Sequence, residues 1–185
     1  MGRPKKFSRE DVLSKALPLF WKRGFTNTGL QDLEKATGVN KSGLYAEFKD
    51  KGDIFLSSLQ HYYKGLKIKG LLTAEPKGWG NIEAFLNAIG EGCSADQSGC
   101  FGVNSMREIS ILPDEAAVLI AENRAELKAL LAANVAAEHT AMNPLIAAEL
   151  LTIFAAGLSI EQNLRRPAAE SQAQAATLLS LLKKS

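Results

Sequence analysis

Apolar residues recur along this chain at the spacing of amphipathic α-helices. The first apolar stripe follows Ser8, which is a good helix N-cap with acidic residues in the turn after it. Its members are Val12, Leu13, Ala16, Leu17 and Phe20. No segment of four to eight residues alternates apolar and polar side chains with the β-branched enrichment of strands. The pattern therefore predicts an all-α fold.

Turn and capping residues divide the pattern into about nine helices. Thr28 to Gln31 has the sequence of a capping box, which predicts the start of the second helix. Asn143 and Pro144 predict the start of the eighth. In chain order the predicted helices cover approximately residues 8–24, 28–37, 41–48, 50–69, 81–94, 100–111, 113–140, 144–165 and 167–185.

Residues 28–51 have the spacing of a helix-turn-helix. Leu30 and Leu33 share one face of the second helix, Gly38 stands at a tight turn, and Leu44 and Phe48 lie on the inner face of the third helix. Short polar residues at the start of such a helix favour entry into the major groove of DNA. The outward positions are Lys41, Ser42, Gly43, Tyr45 and Lys49, and Lys51 follows at the start of the fourth helix, where a cation and backbone amides together favour a phosphate.

The charge distribution supports an anionic partner for the first part of the chain. Residues 1–52 contain eleven Lys and Arg against six Asp and Glu, whereas residues 53–185 contain eleven against fourteen. Nucleic acid is the first candidate partner. The alternative is a solvated basic face on an ordinary domain. We therefore expect two domains, a DNA-binding domain over 1–52 and a ligand-binding and dimerisation domain over 53–185.

Residues 9–60 resemble the DNA-binding domain of the TetR family of bacterial transcription regulators. The resemblance is carried by the stretch from Thr28 to Lys51 and by the aromatic and glycine pattern of residues 20–25 that precedes it. It implies that Lys41, Ser42, Gly43 and Tyr45 lie at the DNA groove and that Thr28, Tyr45 and Lys51 contact phosphates. One departure is Glu34, since the family usually has a small residue there, against the third helix; a carboxylate is expected to tilt outward, away from that helix. Ala46 is also smaller than in many members.

The resemblance also implies a homodimer that reads a palindromic operator and is released from it by a small-molecule effector. Residues on the alanine-rich last two helices would form the dimer interface. A pocket for an apolar or amphipathic effector would lie among the middle helices, although each candidate residue is also a plausible core residue. The candidates are Tyr62, Phe85, Cys100, Phe101, Asn104, Met106, Phe154 and Gln162.

The N-terminal segment is basic and contains Arg3 and Lys5 between Gly2, Pro4 and Lys6. Such a segment is typical of arms that lie in an AT-rich minor groove. The alternative is a basic tail that adds only non-specific attraction to DNA. Both interpretations predict a steeper dependence of DNA binding on salt.

Two alternatives to simple effector release stay open. Cys100 stands after Gly99 at a predicted helix start, where a thiol is reactive, which suggests a redox- or electrophile-sensing repressor. A constitutive DNA-binding protein without a ligand would share the same first domain. No phosphate-binding loop, nucleophile elbow or short paired metal-ligand spacing is present, so neither an enzyme, a metal site nor a cofactor is predicted. With no apolar leader at its start, the chain is expected to be cytoplasmic.

Overall fold

The computed structural model describes residues 7–91, 99–165 and 167–184. Within these ranges it contains ten α-helices and no strand, which confirms the all-α prediction. The helices are α1 (Arg9–Arg23), α2 (Leu30–Thr37), α3 (Lys41–Glu47), α4 (Lys51–Gly65), α5 (Lys69–Thr73), α6 (Trp79–Gly90), α7 (Phe101–Ser105), α8 (Asp114–Ala136), α9 (Pro144–Glu161) and α10 (Ala168–Lys183). Short 3₁₀ turns, Met106–Glu108 and Gln162–Leu164, follow α7 and α9.

The tenth helix arises where the sequence predicts a single helix over 50–69. The prediction was wrong about its end, because α4 stops at Gly65, and glycine costs about 1 kcal/mol in a helix relative to alanine. The carbonyl of Lys67 then accepts the N–H of Gly70 at 2.9 Å, a turn that starts the short α5. The predicted helix over 100–111 is also shorter, since α7 ends at Ser105 and continues only as a 3₁₀ turn.

The chain forms two compact units. The first comprises residues up to Gly65 together with Asn104–Leu119, and the second comprises Leu66–Val103 and Ile120–Ser185. The first unit therefore includes all of α4 and a segment from the middle of the chain. The expected functional division at residue 52 stays a prediction.

The core of the first unit is an aromatic cluster. The rings of Phe20 on α1 and Phe25 in the following loop each meet the ring of Phe55 on α4 edge to face, with 5.2 Å between centroids in both pairs. Phe20 and Phe55 are almost completely buried. Edge-to-face pairs stabilise a core beyond the area that they bury. The cluster therefore fixes the loop after α1 against α4.

Glu108 binds the same loop through its backbone. Its carboxylate oxygens accept hydrogen bonds from the N–H of Phe25 at 2.6 Å and from the N–H of Thr26 at 2.9 Å. Gly24 precedes these residues with φ of 80°, and a Cβ there would collide with the Glu108 carboxylate. Only glycine meets both demands, since other residues rarely adopt positive φ and all of them carry a Cβ.

Lys51 completes the contact from the other side of the loop. Its ammonium group donates to the carbonyl of Phe25 at 3.0 Å and lies 4.1 Å from the centre of the Phe25 ring. Burial raises the pKa of the Glu108 carboxyl, but the hydrogen bonds from Thr26 and Phe25 and the positive charge of Lys51 lower it more. The net effect is a pKa below the ordinary value, so the ionised form stabilises the folded unit.

The second unit has a mainly aliphatic core that includes the buried polar side chain of Asn134. Asn134 is fully buried, and its side chain accepts the N–H of Gly78 at 3.0 Å and donates to the carbonyl of Leu72 at 2.8 Å. A buried amide with its hydrogen bonds satisfied fixes how the segments that it joins are arranged. Asn134 therefore joins α8 to α5 and to the start of α6.

The helix α9 is strongly apolar. By length and composition alone, Pro144–Leu164 could cross a membrane, with mean hydropathy 1.6 and 39% of the segment buried. The core helix of a soluble protein meets the same criteria. A single such helix is weak evidence for a membrane span.

We predict that Glu108→Gln lowers the free energy of unfolding by about 1–2 kcal/mol at pH 7, because the hydrogen bonds lose their charge. A carboxyl whose folded-state pKa is depressed contributes stability above its unfolded-state pKa, and this stability is lost as the pH falls through the folded-state value. The difference between wild type and variant should therefore shrink below about pH 4.3. Urea unfolding between pH 3 and 7 measures it.

The matched control is Glu122→Gln, which removes an exposed carboxylate from α8. Its effect should stay within about 0.5 kcal/mol. A Glu108→Gln difference that is absent at pH 7, or that does not change with pH, would contradict the assigned role.

Candidate nucleic-acid interface

Helices α2 and α3 form the predicted helix-turn-helix. Gly38 ends α2 in the left-handed conformation, with φ of 75°, and its N–H donates to the carbonyl of Glu34 at 2.9 Å. Leu33 on α2 and Leu44 on α3 are fully buried, and Val39 in the turn is 6% exposed. The apolar spacing and the turn glycine thus produce the expected motif.

The outer face of α3 carries residues suited to DNA. Lys41, Ser42 and Lys49 are exposed, and the Tyr45 side chain is 42% exposed. The Lys41 ammonium lies 5.8 Å from the centre of the Tyr45 ring, a distance at which a cation and an aromatic face attract. These four residues point outward as predicted, and their contacts with DNA stay predictions.

The start of α3 is held by two side chains. Asn40 is the N-cap, and its oxygen accepts the N–H of Gly43 at 2.9 Å. Glu34 reaches from α2 and accepts the backbone N–H of Lys41. The expectation that a carboxylate at this position must tilt away from α3 is therefore wrong, because the carboxylate instead binds an amide that the first turn of a helix leaves without a partner.

The end of α3 is held by Arg9 of α1. Its guanidinium lies 4.2 Å from the centre of the Phe48 ring and donates to the carbonyl of Glu47 at 2.5 Å. It also donates to the hydroxyl of Ser57 on α4 at 2.7 Å. Asp53 on α4 accepts the N–H of Lys49 at 2.9 Å, which fixes the chain between α3 and α4.

Thr28 does not occupy the position that the sequence predicts. Its side chain is fully buried, and the hydroxyl donates to the carbonyl of Gly24 at 2.7 Å. The predicted capping box is wrong, because α2 begins at Leu30 and Asp32 accepts the N–H of Gly29 at 2.9 Å. The hydroxyl of Thr28 is thus bonded inside the fold, and its contact with a phosphate stays a prediction.

Asp32 has a second partner at this point of the motif. The Arg23 guanidinium donates to it at 2.7 Å. The hydrogen bond from the Gly29 N–H, followed by that from Arg23, holds the pKa of Asp32 below its usual range. The start of α2 therefore keeps its cap in the ionised state.

Gly43 and Lys51 also differ from the expected outward positions. A Cβ on Gly43 would lie 2.7 Å from the Val39 side chain and 3.3 Å from the Phe7 ring, so this glycine is required by packing inside the motif. Lys51 is half-buried and binds Phe25, as described above. A phosphate contact from Lys51 would compete with that bond.

The basic arm lies outside the described residues, and with it Arg3 and Lys5. Phe7 is the first residue that the structure describes, and its ring lies against Gly43 of α3. Phe7 thus lies beside the helix that is expected to read DNA.

The predicted effector residues are distributed over both units. Tyr62 belongs to the first unit, is 7% exposed and meets Trp21 edge to face with 5.0 Å between ring centres. Asn104 and Met106 are half-buried in the same unit. Phe85 and Phe101 are buried in the second unit. Their placement does not test the effector prediction.

Three other effector candidates lie in the second unit. Gln162 is 4% exposed, and its amide donates to the carbonyl of Gly90 at 2.8 Å, so it already stabilises the fold. Phe154 lines an open groove of about 570 Å³ between α9 and α10. Cys100 is half-buried directly before α7, whereas Cys93 lies outside the described residues.

Sequence reasoning missed Arg9, Asp53 and Glu108. The hydrogen-bond partners of Arg9 in α3 and α4 lie 38 or more residues away in the chain, and those of Glu108 lie more than 80 residues away. A local pattern of apolar and polar positions carries no signal for such contacts. The pairing of a positive-φ glycine with a distant carboxylate becomes visible only in the folded chain.

Comparisons with known proteins identify the same region. Residues 12–57 match the family model for bacterial regulatory proteins of the tetR family. Over 114 residues the chain is 36% identical to the transcriptional repressor ComR of Escherichia coli K12, a match that covers 59% of this chain and 54% of ComR. It is 32% identical over 113 residues to the regulator YezE of Bacillus subtilis 168, covering 58% of each protein. The matches thus span a little over half the length of these relatives.

Solved structures share the fold over nearly the whole chain. A cysteine mutant of the TetR family regulator CifR, complexed with a 26 bp operator DNA, superposes with a TM-score of 0.84 at 24% identity and covers 97% of this chain and 98% of CifR. The reduced form of E. coli NemR gives a TM-score of 0.79 at 23% identity, covering 94% of this chain and 96% of NemR. The family match, the related regulators and the shared fold agree with the helix-turn-helix described above: residues 12–57 match the tetR family of bacterial regulatory proteins, and the whole chain shares the fold of solved TetR-family structures.

Proposed function

We propose that this protein is a sequence-specific DNA-binding transcription regulator that represses by binding a palindromic operator as a homodimer. The observation that carries the proposal is the exposed face of α3, with Lys41, Ser42 and Tyr45 on a helix that is held at both ends. ComR is named as a repressor, and CifR is complexed with operator DNA. The relatives are named as regulators and not as enzymes, which supports a protein without catalytic activity.

The proposed contacts with DNA are of two kinds, to base edges and to phosphates. Lys41 and Ser42, in the first turn of α3, contact base edges in the major groove. Lys donates to the acceptors of guanine, and the Ser hydroxyl can donate to an acceptor or accept from a donor. Tyr45 on α3 and Lys49 in the segment after α3 contact phosphates. Arg3 and Lys5 add contacts from the arm. Thr28, Gly43 and Lys51 act through the fold of the motif instead.

The dimer interface is proposed on α9 and α10. Seven apolar side chains on these two helices and the turn between them are at least 44% exposed, an apolar surface larger than scattered single residues explain. They are Leu145, Ile146, Leu150, Ile153, Ile160, Leu164 and Leu181. Gly157 stands among them with no atom within 4 Å of where its Cβ would lie, so a second helix can approach closely there. A second copy of the chain would cover this surface, which also accounts for the apolar character of α9.

An effector that changes the dimer would release the operator. The candidate residues are those given above, and an apolar or amphipathic molecule suits their aromatic walls. The thiol of Cys100 remains an alternative sensor. Function on DNA places the protein in the cytoplasm.

Selection of bound sequences from a random DNA library, at near-physiological salt and with or without reductant, tests the proposal. A palindromic sequence should be enriched in the presence of reductant. Its loss without reductant would favour the thiol alternative. Retention of duplexes with no sequence in common would overturn the proposal and leave a non-specific DNA-binding protein.

We predict that Lys49→Ala reduces the slope of log affinity against log salt by about one, because one phosphate contact with its counterion release is lost. The affinity should fall by a similar factor for every sequence. Fluorescence anisotropy with the selected duplex between 50 and 300 mM salt measures the slope. Lys67→Ala, an exposed lysine of the second unit, is the control and should leave the slope unchanged. Equal slopes for all three proteins would contradict the assignment of Lys49.

We predict that Gly157→Arg converts the dimer to a monomer, because a long charged side chain would be buried at the interface without a partner. The dimer dissociation constant should rise at least a hundredfold by analytical ultracentrifugation. Gly80→Arg is the matched control, since Gly80 is also helical and also has open space around its Cβ position. A Gly157→Arg protein that dimerises as tightly as Gly80→Arg would place the interface elsewhere.

A further inference from the structure

The first turn of α3 has its backbone donors occupied by the protein itself. Glu34 Oε1 accepts the N–H of Lys41, and Asn40 Oδ1 accepts the N–H of Gly43 at 2.9 Å. Such N–H groups at a helix start are otherwise common contacts for DNA phosphates. The start of α3 is therefore less available to the DNA backbone than an uncapped helix would be.

The Glu34 carboxylate also lies among the residues that are proposed to read bases. It is bonded directly to the backbone of Lys41, and both Lys41 and Ser42 are exposed. Glu34 itself is only partly buried. A helix that enters the major groove by its first turn therefore brings a negative charge and free carboxylate lone pairs to the base edges.

A carboxylate beside the base edges discriminates among the four bases. An ionised carboxylate accepts up to about four hydrogen bonds and donates none. Cytosine presents an amino donor in the major groove with no acceptor beside it, whereas adenine adds an acceptor at N7, and guanine and thymine present acceptors. Oxygen lone pairs that face acceptors repel each other. A carboxylate beside the reading residues therefore favours cytosine over the other three bases.

We propose that Glu34 is a specificity-determining residue of the DNA interface and selects cytosine at one position of each half-site. The inference rests on the proposed function. One carboxylate oxygen stays on the Lys41 N–H and orients the side chain, while the carboxylate accepts a hydrogen bond from the cytosine N4 amino group. The same group thus fixes the start of α3 and reads one base.

The test compares full-length wild type, Glu34→Gln and Glu34→Ala in the random-library selection. Glu34→Gln keeps an oxygen for the Lys41 N–H but replaces the other acceptor by an amino donor, so α3 retains its cap. We expect wild type to enrich a palindrome with cytosine at one position per half-site. In both variants the preference for cytosine there should fall about tenfold, within the range of one base contact, while the other positions keep their preferences.

Glu10→Gln is the matched control, because it removes an exposed carboxylate from α1 of the same unit without touching α2 or α3. Its selected sequence should equal that of wild type. Thermal melting of all four proteins checks that each is folded.

The outcomes separate the two proposals. A wild-type palindrome that both variants select unchanged at every position overturns the role of Glu34 and leaves the proposed function intact. Loss of all preferences together in folded Glu34→Gln also overturns it, since Glu34 would then act only by holding α3. The absence of any enriched sequence for wild type overturns the proposed function and this inference with it.

Discussion

Glu108 joins the middle of the chain to the loop between α1 and α2 by accepting the N–H groups of Phe25 and Thr26. In the first unit this contact fixes the loop that connects the two helices. The loop has no regular structure of its own, and the positive φ of Gly24 leaves it with few alternatives. With Glu108 on one side and Lys51 on the other, the beginnings of α2 and α4 are set relative to α1. Without these bonds the loop would have to satisfy its backbone polar groups with water.

The helix α3 is held by contacts with the neighbouring helices rather than by its own stability. Helices α2 and α3 have only eight and seven residues, lengths at which an isolated helix in water is unstable. Their order comes from buried leucines and from side chains that bind backbone groups at each end of α3. Arg9 is bonded to the carbonyl at the end of α3, and Glu34 to the N–H at its start. A helix held in this way would lose little conformational freedom in the proposed complex with DNA, which favours affinity.

Much of this architecture could be predicted from sequence. The 3.6-residue spacing identified both helices of the motif, and the left-handed turn at Gly38 follows from the glycine that stands there. The same spacing placed Lys41, Ser42 and Tyr45 on the outer face. It failed at Thr28, where the Gly24 carbonyl that accepts the hydroxyl comes from outside the α2–α3 pattern. It also failed at Gly43, where the Val39 side chain and the Phe7 ring both crowd the Cβ position. Contacts between residues far apart in the chain, such as that of Glu108, leave no periodic signal.

The candidate effector-binding residues are those that the sequence defined least. Aromatic side chains at helical spacing are equally suited to a pocket wall and to a core, and Phe85 and Phe101 are buried as core residues are. Gln162 illustrates the same ambiguity, because its amide is already bonded to Gly90. The exposed residues of α3 were easier to place, because their spacing alone puts them opposite the buried leucine of that helix.

The crystal structure of the protein bound to its selected duplex tests the central claim most directly. The account predicts two protomers whose α3 helices enter successive major grooves on one face of the DNA, about 34 Å apart or a multiple of that distance. Lys41 and Ser42 should lie at base edges, and Tyr45 and Lys49 at phosphates. A complex in which α3 faces away from the DNA, or in which a single protomer binds the duplex through another surface, would contradict it.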